Sequence, residues 1–255
     1  MRIENSFIPV RGVGEKTEQR LWRRGVTDWD AFDPSHLGTA LGERIQAYIE
    51  EAEAHLAASE SGFFARTFPD REHWRLFENF RDGACFLDIE TTGLDQHRHA
   101  VTVVSTHRAG ETTTLVSGDN LDRDALVREF DRSSMVVTFN GRRFDVPFLE
   151  HAFDLSIDHP HLDLLYPSRR IGLHGGLKRI EQELGIDRGS DDITGLDAVR
   201  LWEAYDRRGD TDALETLITY NREDTVNLLT LADIVVERLH DSVFESAIDG
   251  QQTRL

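Results

Sequence analysis

The segment Phe86-Leu87-Asp88-Ile89-Glu90 alternates apolar and acidic side chains. In an extended strand, successive side chains point to opposite faces, so Asp88 and Glu90 share one face, about 7 Å apart along the backbone. Leu87 and Ile89 occupy the other face, and their apolar side chains predict that this face is buried. Two like charges on a central strand repel each other and lose hydration, a cost that a bound divalent cation offsets. A metal ion is the economical explanation; the alternative is an edge strand with both acids in water.

Around this segment, the hydrophobic pattern predicts an alternation of strands and helices. Strands are predicted at residues 84–90, 101–107, 112–117, 135–139 and 162–165. Helices are predicted at residues 121–131, 146–153, 177–184, 196–207 and 210–239. Short spacing favours antiparallel pairing of the first three strands, and crossover helices imply a parallel continuation. The predicted fold class is therefore α/β, with a mixed five-stranded sheet flanked by helices.

The last predicted helix carries an acid on its apolar face. Its core-facing stripe recurs at steps of three and four residues and consists of Leu217, Tyr220, Asp224, Leu228, Leu231 and Val235. Because an isolated buried carboxylate is rarely tolerated, Asp224 is expected to be protonated, to pair with an arginine or to bind a metal. Tyr220 lies one turn earlier on the same face, where its hydroxyl could reach whatever Asp224 binds; the alternative is a core tyrosine bonded to the backbone.

A fourth acid follows the fourth predicted strand. Asn140 and Phe144 precede Asp145, and Pro147 stands in the first turn of the next helix. Asp145 is expected at that helix N-terminus, where a plain N-cap would also explain it.

Taken together, these residues resemble the three exonuclease motifs of the DEDD superfamily. The motifs are Asp88-Ile89-Glu90-Thr91, Asn140-x-x-x-Phe144-Asp145 and Tyr220-x-x-x-Asp224, in that order on a strand, a loop and a helix. The chain is similar to DnaQ-like 3′–5′ exonucleases with a ribonuclease H-like fold, and most similar to the YprB-like group. Tyr220, with Thr219 where a histidine would otherwise stand, points to the tyrosine subtype.

The resemblance implies two divalent cations, Mg²⁺ or Mn²⁺. Asp88 would bridge them, Glu90 and Asp224 would complete one site, and Asp145 would act at the other, directly or through water. Hard oxygen ligands suit these ions, and paired ions supply both an activated water and charge relief on the leaving oxygen. Tyr220 would orient the attacking water.

The same resemblance implies substrate contacts. Thr92, Gly93 and Leu94 would lie along the terminal nucleotide, with Leu94 wedged against its base, and Asn140 would approach the scissile phosphate. A packed leucine and a turn-forming glycine are the alternatives. The expected activity is 3′–5′ exonucleolytic hydrolysis at ends of single-stranded DNA or RNA. A noncatalytic nucleic-acid-binding module and a structure-selective endonuclease on the same fold are the rivals.

The first 70 residues predict a small all-helical accessory region, ahead of the main domain at residues 81–245. Gly12-Val13-Gly14 precedes a helix through Trp22, and an apolar pattern restarts over residues 26–32, so a short helical hairpin is predicted. The tripeptide is similar to that of a helix-hairpin-helix element, in which backbone N–H groups hold a DNA phosphate; a structural turn is the alternative. An amphipathic helix is predicted over residues 41–58, followed by a polar linker over residues 58–70.

The composition excludes several classes of protein. Hydrophobic residues make up 39% of the 255 residues and there are only 6 prolines, which excludes collagen-like and wholly disordered chains. No apolar run approaches the ~20 residues of a membrane helix, so no membrane partner is expected. The polar start shows no secretory signal pattern, and a lone Cys85 cannot form an internal disulfide. These features favour the cytoplasm.

The formal net charge of −18 opposes nucleic-acid binding, because affinity for phosphate chains comes largely from basic side chains. Only Lys16 and Lys178 are lysines, so arginine supplies the other basic residues, a composition that resembles proteins of salt-accumulating microbes. The acid excess then indicates an adaptation to the solvent. From Arg11 to Arg24 the sign reverses, and this basic patch is either a phosphate-binding surface or a solvated helix face.

Overall fold

In the computed structural model, which describes residues 1–189 and 193–249, a five-stranded sheet has the order β3-β2-β1-β4-β5. The strands are β1 (Ala84–Thr91), β2 (Val101–Arg108), β3 (Glu111–Val116), β4 (Met135–Thr138) and β5 (His161–Asp163). The strand pairs β1–β2 and β2–β3 are antiparallel, whereas β1–β4 and β4–β5 are parallel. The predicted mixed α/β sheet is confirmed, and the strand that carries Asp88 and Glu90 lies at its centre.

Helices flank the sheet and form the N-terminal region. They are α1 (Glu15–Trp22), α2 (Thr39–Ala57), α3 (Ser61–Thr67), α4 (Phe77–Phe80), α5 (Arg123–Asp131), α6 (Asp145–Phe153), α7 (Leu165–Arg170), α8 (Leu177–Leu184), α9 (Gly195–Arg208), α10 (Thr211–His240) and α11 (Ser246–Asp249). Short 3₁₀ helices lie at Ile3–Asn5, Pro34–His36, Asp70–Leu76 and Arg81–Gly83, and a π-helical turn lies at Asp241–Glu245. Within the described ranges, every helix is too short or too polar to cross a membrane.

The two faces of β1 bury different partners. Leu87 and Ile89 belong to an apolar cluster with residues of α5 and α6, among them Leu126 and Phe148. Phe86, on the opposite face, belongs to the cluster that includes the apolar side chains of α10. Since side chains alternate along a strand, Asp88 and Glu90 lie on the face that α10 covers. The sheet and its longest helix thereby bring distant acids together.

The N-terminal region shares a hydrophobic cluster with the sheet and α10. This cluster runs from Met1 through Phe80 to buried residues of β1, β4 and α10. The rings of Trp22 in α1 and Phe244 after α10 meet edge to face, with centroids 5.0 Å apart. Residues 1–80 contain helices and turns but no strand, as predicted. The division into an accessory region and a separate main domain stays a prediction.

The predicted second arm of the N-terminal hairpin, residues 26–32, is wrong. The segment consists of turns, because its backbone groups bond to the start of the chain rather than along a helix. The Trp29 amide donates to the carbonyl of Glu4 at 3.0 Å, and the carbonyl of Thr27 accepts from the Asn5 side chain at 3.0 Å. Only α1 therefore adjoins the Gly-Val-Gly turn as a full helix.

The predicted linker over residues 58–70 is also wrong. Helix α3 occupies most of it, and Phe63, Phe64 and Phe68 are buried there. The rings of Phe63 and Phe64 meet edge to face with centroids 5.1 Å apart. The polar residues of this stretch face solvent while its aromatic residues fill the core, so it belongs to the folded N-terminal region.

A buried ion-pair cluster lies between α1 and the 3₁₀ helix at Asp70–Leu76. The guanidinium of Arg75 is fully buried; its Nη1 lies 3.0 Å from Glu18 Oε2, and its Nε donates to Glu72 Oε2 at 2.8 Å. Glu18 Oε1 also accepts from the Ser6 hydroxyl and the Phe7 amide, each at 2.8 Å. We call Glu18, Glu72 and Arg75 the N-terminal ion cluster.

Candidate active site

Three carboxylates converge between β1 and α10. Asp88 and Glu90 come from β1 and Asp224 from α10, and one oxygen of each lies within 4.8 Å of the others. Asp224 is only 6% exposed, and both residues of β1 are half-buried. These three residues are the structural centre of the site. The sequence predicts that they lie close together, from strand alternation in β1 and from the helical stripe in α10.

Helix α10 presents the predicted stripe and one further polar residue. The five neighbours of Asp224 in the stripe are all buried: Leu217, Tyr220, Leu228, Leu231 and Val235. Asn221 is fully buried on the same side, and its Nδ2 donates to Asp88 Oδ2 at 2.7 Å. Sequence reasoning missed Asn221. Its spacing of four residues after Leu217 and three before Asp224 was the available signal, because it fits the same helical stripe.

Asp145 approaches the carboxylate group from α6. It is the first residue of α6 and only 5% exposed, and the N-cap position belongs to Phe144, which makes no side-chain cap. The reading of Asp145 as an N-cap is therefore wrong. Burial raises the pKa of Asp145 to about 7, with Asp163 adding to the shift and the backbone amides of Asp145 and Ile89 opposing it.

The four acids share an electrostatic environment that disfavours their charged forms. Burial, then repulsion from Asp224 and Asp145, raises the pKa of Asp88 well above its ordinary value, and the hydrogen bond from Asn221 opposes this shift. Burial, then repulsion from Asp224 and Asp145, likewise raises the pKa of Glu90 to about 8. Asp145 thus acts on both acids of β1, although it lies outside the set of three whose oxygens lie within 4.8 Å. The basic side chains described around these four acids therefore do not balance the negative charge that the acids carry when ionised.

Arg188, in the segment after α8, supplies a counter-charge at one side of the site. One of its guanidinium nitrogens, Nη2, donates to Asp224 Oδ1, and the other, Nη1, donates to Glu181 Oε2. Burial raises the pKa of Asp224, and Arg188 reduces but does not cancel that shift. Sequence reasoning missed Arg188 because the segment has no periodic pattern that predicts where its side chains lie.

Tyr220 lies beside Asp224 on α10, as its position one turn earlier predicts. The pKa of Tyr220 is raised by burial and then by repulsion from Asp224 and Glu90. The cationic groups of Lys178 and Arg188 lie 4.7 Å and 5.7 Å from the centre of its ring. The hydroxyl therefore keeps its proton and acts as a donor near the carboxylates.

The loop after β4 is held by an acid that sequence reasoning missed. Asn140 has a φ of +66°, in the left-handed region that asparagine tolerates better than most residues. The buried carboxylate of Asp163 accepts from the backbone amides of Asn140 at 2.7 Å, Arg142 at 3.1 Å and Leu165 at 3.1 Å. Asp163 thus ties this loop to the end of β5, and the contact that fixes Asn140 is to Asp163 rather than to the four predicted carboxylates.

The segment after β1 forms a tight turn with an exposed leucine. The Ala100 amide donates to the Thr92 hydroxyl at 3.0 Å. At Gly93 a Cβ atom would lie 2.5 Å from the ring of His99, so any larger residue would have to displace that ring. Leu94 is 86% exposed, which contradicts the alternative of a packed leucine.

The fold and its match to a known family agree. Residues 85–236, more than half of the chain, match the family described as the RNase_H superfamily. The chain belongs to the RNase H superfamily. The matched range begins in β1 and ends near the end of α10, so it contains the five strands and all four predicted carboxylates. No curated protein matches the chain.

Several solved structures are similar to parts of this superfamily member. Brucella melitensis NrnC with bound Mg²⁺ is 24% identical, covering 69% of this chain and 83% of that chain, with a TM-score of 0.47. Brucella melitensis NrnC bound to pGG has the same identity and coverage, with a TM-score of 0.44. The family B DNA polymerase from the hyperthermophilic archaeon Pyrobaculum calidifontis is 14% identical, covering 65% of this chain and 26% of that chain, with a TM-score of 0.47.

The donor set of the site fits a divalent cation. Its oxygen atoms belong to the carboxylates of Asp88, Glu90 and Asp224. Carboxylate oxygens are the hard ligands that Mg²⁺ and Mn²⁺ prefer. The buried Oδ1 of Asn221 also has no hydrogen-bond partner among the described residues, although its Nδ2 is bonded to Asp88. Buried oxygens with excess negative charge are stabilised by a cation, so the residues present suit such a group.

Proposed function

We propose that the chain is a divalent-metal-dependent 3′–5′ exonuclease that hydrolyses phosphodiester bonds at ends of single-stranded DNA or RNA. The observation that carries the proposal is the convergence of Asp88, Glu90 and Asp224, with Asp145 beside them, on one face of an RNase H-superfamily sheet. A cluster of acids is a poor surface for phosphates unless cations lie between them, so a metal-dependent reaction explains it better than simple binding does.

The proposed site holds two cations, Mg²⁺ or Mn²⁺. Asp88, Glu90, Asp224 and Asp145 would hold them. When bound, such ions would favour ionised water near neutral pH and relieve charge on the leaving oxygen. The nearby Asn221 fixes one oxygen of Asp88 through its 2.7 Å hydrogen bond, which limits how that carboxylate can turn.

Tyr220 orients the attacking water in this proposal. Its pKa lies above the ordinary value of 10, so the hydroxyl stays protonated at neutral pH and does not accept a proton. Tyr220 lies one turn before Asp224 on the buried face of α10, which places its ring beside the carboxylates. Tyr220 therefore positions a water rather than acting as a general base.

The substrate contacts stay as the sequence predicts them. Thr92, Gly93 and Leu94 would lie along the terminal nucleotide, and Asn140 would approach the scissile phosphate. The exposure of Leu94 supports this role, since a large apolar side chain left in water is available to pack against a nucleobase. The cytoplasmic location also stays a prediction.

The test is the release of 5′-mononucleotides from a labelled single strand with Mn²⁺ present. Asp88→Asn should lower the rate by at least ~100-fold, because metal ions supply several kcal/mol and each 1.4 kcal/mol is a factor of ten. Glu203→Gln, which alters only an exposed pair with Arg207 on α9, is the matched control and should leave the rate unchanged.

End-blocked and circular strands separate the proposal from its rivals. An exonuclease leaves both uncut, whereas a structure-selective endonuclease cuts them. A noncatalytic binding module would bind strands without divalent ions, and its binding would survive Asp88→Asn. If wild-type protein releases no nucleotide from any DNA or RNA end, the proposed function is lost.

A further inference from the structure

We propose that Arg188 is a positioning residue, which Glu181 and Asn227 hold in place so that it fixes the orientation of Asp224 for metal binding. This inference rests on the proposed function, because it assigns a role toward the same metal site. The residues that carry it lie outside the three motifs that the sequence analysis identifies.

The guanidinium of Arg188 forms a fork between two carboxylates. Its Nη1 donates to Glu181 Oε2 and its Nη2 donates to Asp224 Oδ1, and its side chain is only 12% exposed. A planar guanidinium can hold two carboxylates at a fixed angle, and bonds between charged partners are the strong ones. Because one oxygen of Asp224 is bonded to Arg188, the carboxylate is restrained from turning.

Glu181 is a fixed anchor rather than a mobile surface acid. Its side chain is fully buried on α8, and Asn227 of α10 donates to its other oxygen, Oε1, at 3.0 Å. The same Asn227 side chain donates to the carbonyl of Asp187 at 3.3 Å, next to Arg188 in the chain. Both oxygens of Glu181 therefore have partners, and the segment that carries Arg188 is bonded to the helix that carries Asp224.

Arg188 also contacts Tyr220, the residue proposed to orient water. Its guanidinium carbon lies 5.7 Å from the ring centre, which is within the range of a cation–π contact. Since Tyr220 lies one turn before Asp224 on α10, Arg188 contacts two neighbouring residues of the site. One side chain thus supports the relative placement of a metal ligand and its neighbouring phenol.

Charge balance favours positioning over competition with the metal. An arginine alone would repel a divalent cation, but Glu181 neutralises Arg188, so the pair adds no net charge to the site. What the pair does contribute is a hydrogen bond to a ligand carboxylate. Partners of this kind, outside the ligands themselves, typically change metal affinity by about 10- to 100-fold.

The experiment replaces the pair without changing net charge. Mn²⁺ binding to the full chain is measured by calorimetry for wild type and for the double variant Glu181→Gln/Arg188→Gln. The double variant should bind Mn²⁺ about 10- to 100-fold more weakly. Glu203→Gln/Arg207→Gln makes the same chemical change at an exposed pair on α9 and should bind like wild type. Thermal melting in EDTA reports whether each variant is folded.

A second variant, Arg188→Lys, keeps the charge and the fold but lacks the fork. It should also bind Mn²⁺ about tenfold more weakly, because a lysine cannot hold both carboxylates at fixed angles. The inference is overturned if either the folded double variant or Arg188→Lys binds Mn²⁺ as wild type does, or if either binds it more tightly. Wild-type protein that binds no Mn²⁺ would instead contradict the proposed function.

Discussion

Two groups of buried acids in this chain differ in how closely arginine pairs with them. In the N-terminal ion cluster, Arg75 bonds to both Glu18 and Glu72, so most of the negative charge has a partner inside the protein. Between β1 and α10, the acids repel one another, and Arg188 contacts only Asp224 at the edge of the group. In the first arrangement an arginine lies between the acids, whereas in the second the proposed cation would take that place.

The pKa values separate the two groups of acids in part. In the N-terminal ion cluster, Arg75, Arg170 and Trp74 together outweigh burial and hold the pKa of Glu72 below its ordinary value, whereas burial outweighs Arg75 at Glu18 and raises its pKa. Burial also raises the pKa of Glu90, but the neighbouring acids add to the effect and bring it to about 8. Burial alone therefore does not identify a functional acid. At the candidate site, repulsion between neighbouring acids adds to burial, and this combination is typical of a functional site.

The largest expected effect is on stability, at the N-terminal ion cluster. Arg75→Met should lower the free energy of unfolding by about 3–5 kcal/mol, because it removes the buried guanidinium that Glu18 and Glu72 share. Chemical denaturation measures this change, and the hydrolysis rate per folded molecule should stay the same. A loss below 1 kcal/mol would mean that the two groups of acids do not differ as described.

The second prediction concerns pH and the unbalanced acids. Glu90 and Asp145 have pKa values of about 8 and 7 when folded, against ordinary values of 4.5 and 3.8. Between about pH 5 and 7 the folded protein keeps protons that the unfolded chain has lost, so metal-free stability should fall as pH rises. Each group contributes at most about 1.4 kcal/mol per pH unit.

Denaturation in EDTA across pH 5 to 8 measures that slope. Excess Mn²⁺ should reduce it, because a cation stabilises the ionised carboxylates, and Asp88→Asn should reduce it by removing one repelling group. A metal-free stability that does not change over this range would contradict the electrostatic picture of the site.

A smaller effect is expected at Tyr220. Tyr220→Phe removes the hydroxyl proposed to orient water but keeps the ring beneath the cationic groups of Lys178 and Arg188. The hydrolysis rate should fall about 10- to 100-fold, as it does when other partners of metal ligands are removed, with little change in melting temperature. Single-turnover assays measure the rate, and a variant as fast as wild type would remove Tyr220 from the mechanism.

The smallest effect is expected at an exposed ion pair. Arg81 bonds to Asp233 through two nitrogens at 2.8 and 2.6 Å, but the two side chains are 40% and 43% exposed. Arg81→Met should therefore cost no more than about 1 kcal/mol of stability, because water screens the pair. The same substitution at Arg75 is the direct comparison, and equal losses at both sites would show that burial does not set the cost.

Periodic patterns predict the sheet and the convergence of acids. Alternation along β1 places Asp88 and Glu90 on one face, and the stripe on α10 places Tyr220 and Asp224 on its buried face. Both patterns follow from backbone geometry, so they can be read without a structure. Asn221 fits the same stripe, but its amide is uncharged, so its position on an apolar face does not by itself predict a functional role.

Contacts between distant segments are what the sequence does not predict. Glu18 lies within the basic patch from Arg11 to Arg24 and has the pattern of a surface charge, yet it is fully buried against Arg75. Arg188 lies in a segment without periodicity, and Glu181 is one of two acids on α8. Their roles depend on which chain segments meet, and local propensity contains no information about that.

The most direct measurement of the central claim is a crystal structure of the protein soaked with Mn²⁺, with anomalous difference density at the manganese absorption edge. The proposed function predicts strong density among the carboxylates of Asp88, Glu90 and Asp224, with a second peak toward Asp145. Well-ordered carboxylates with no anomalous density between them, at Mn²⁺ concentrations that support hydrolysis, would contradict it.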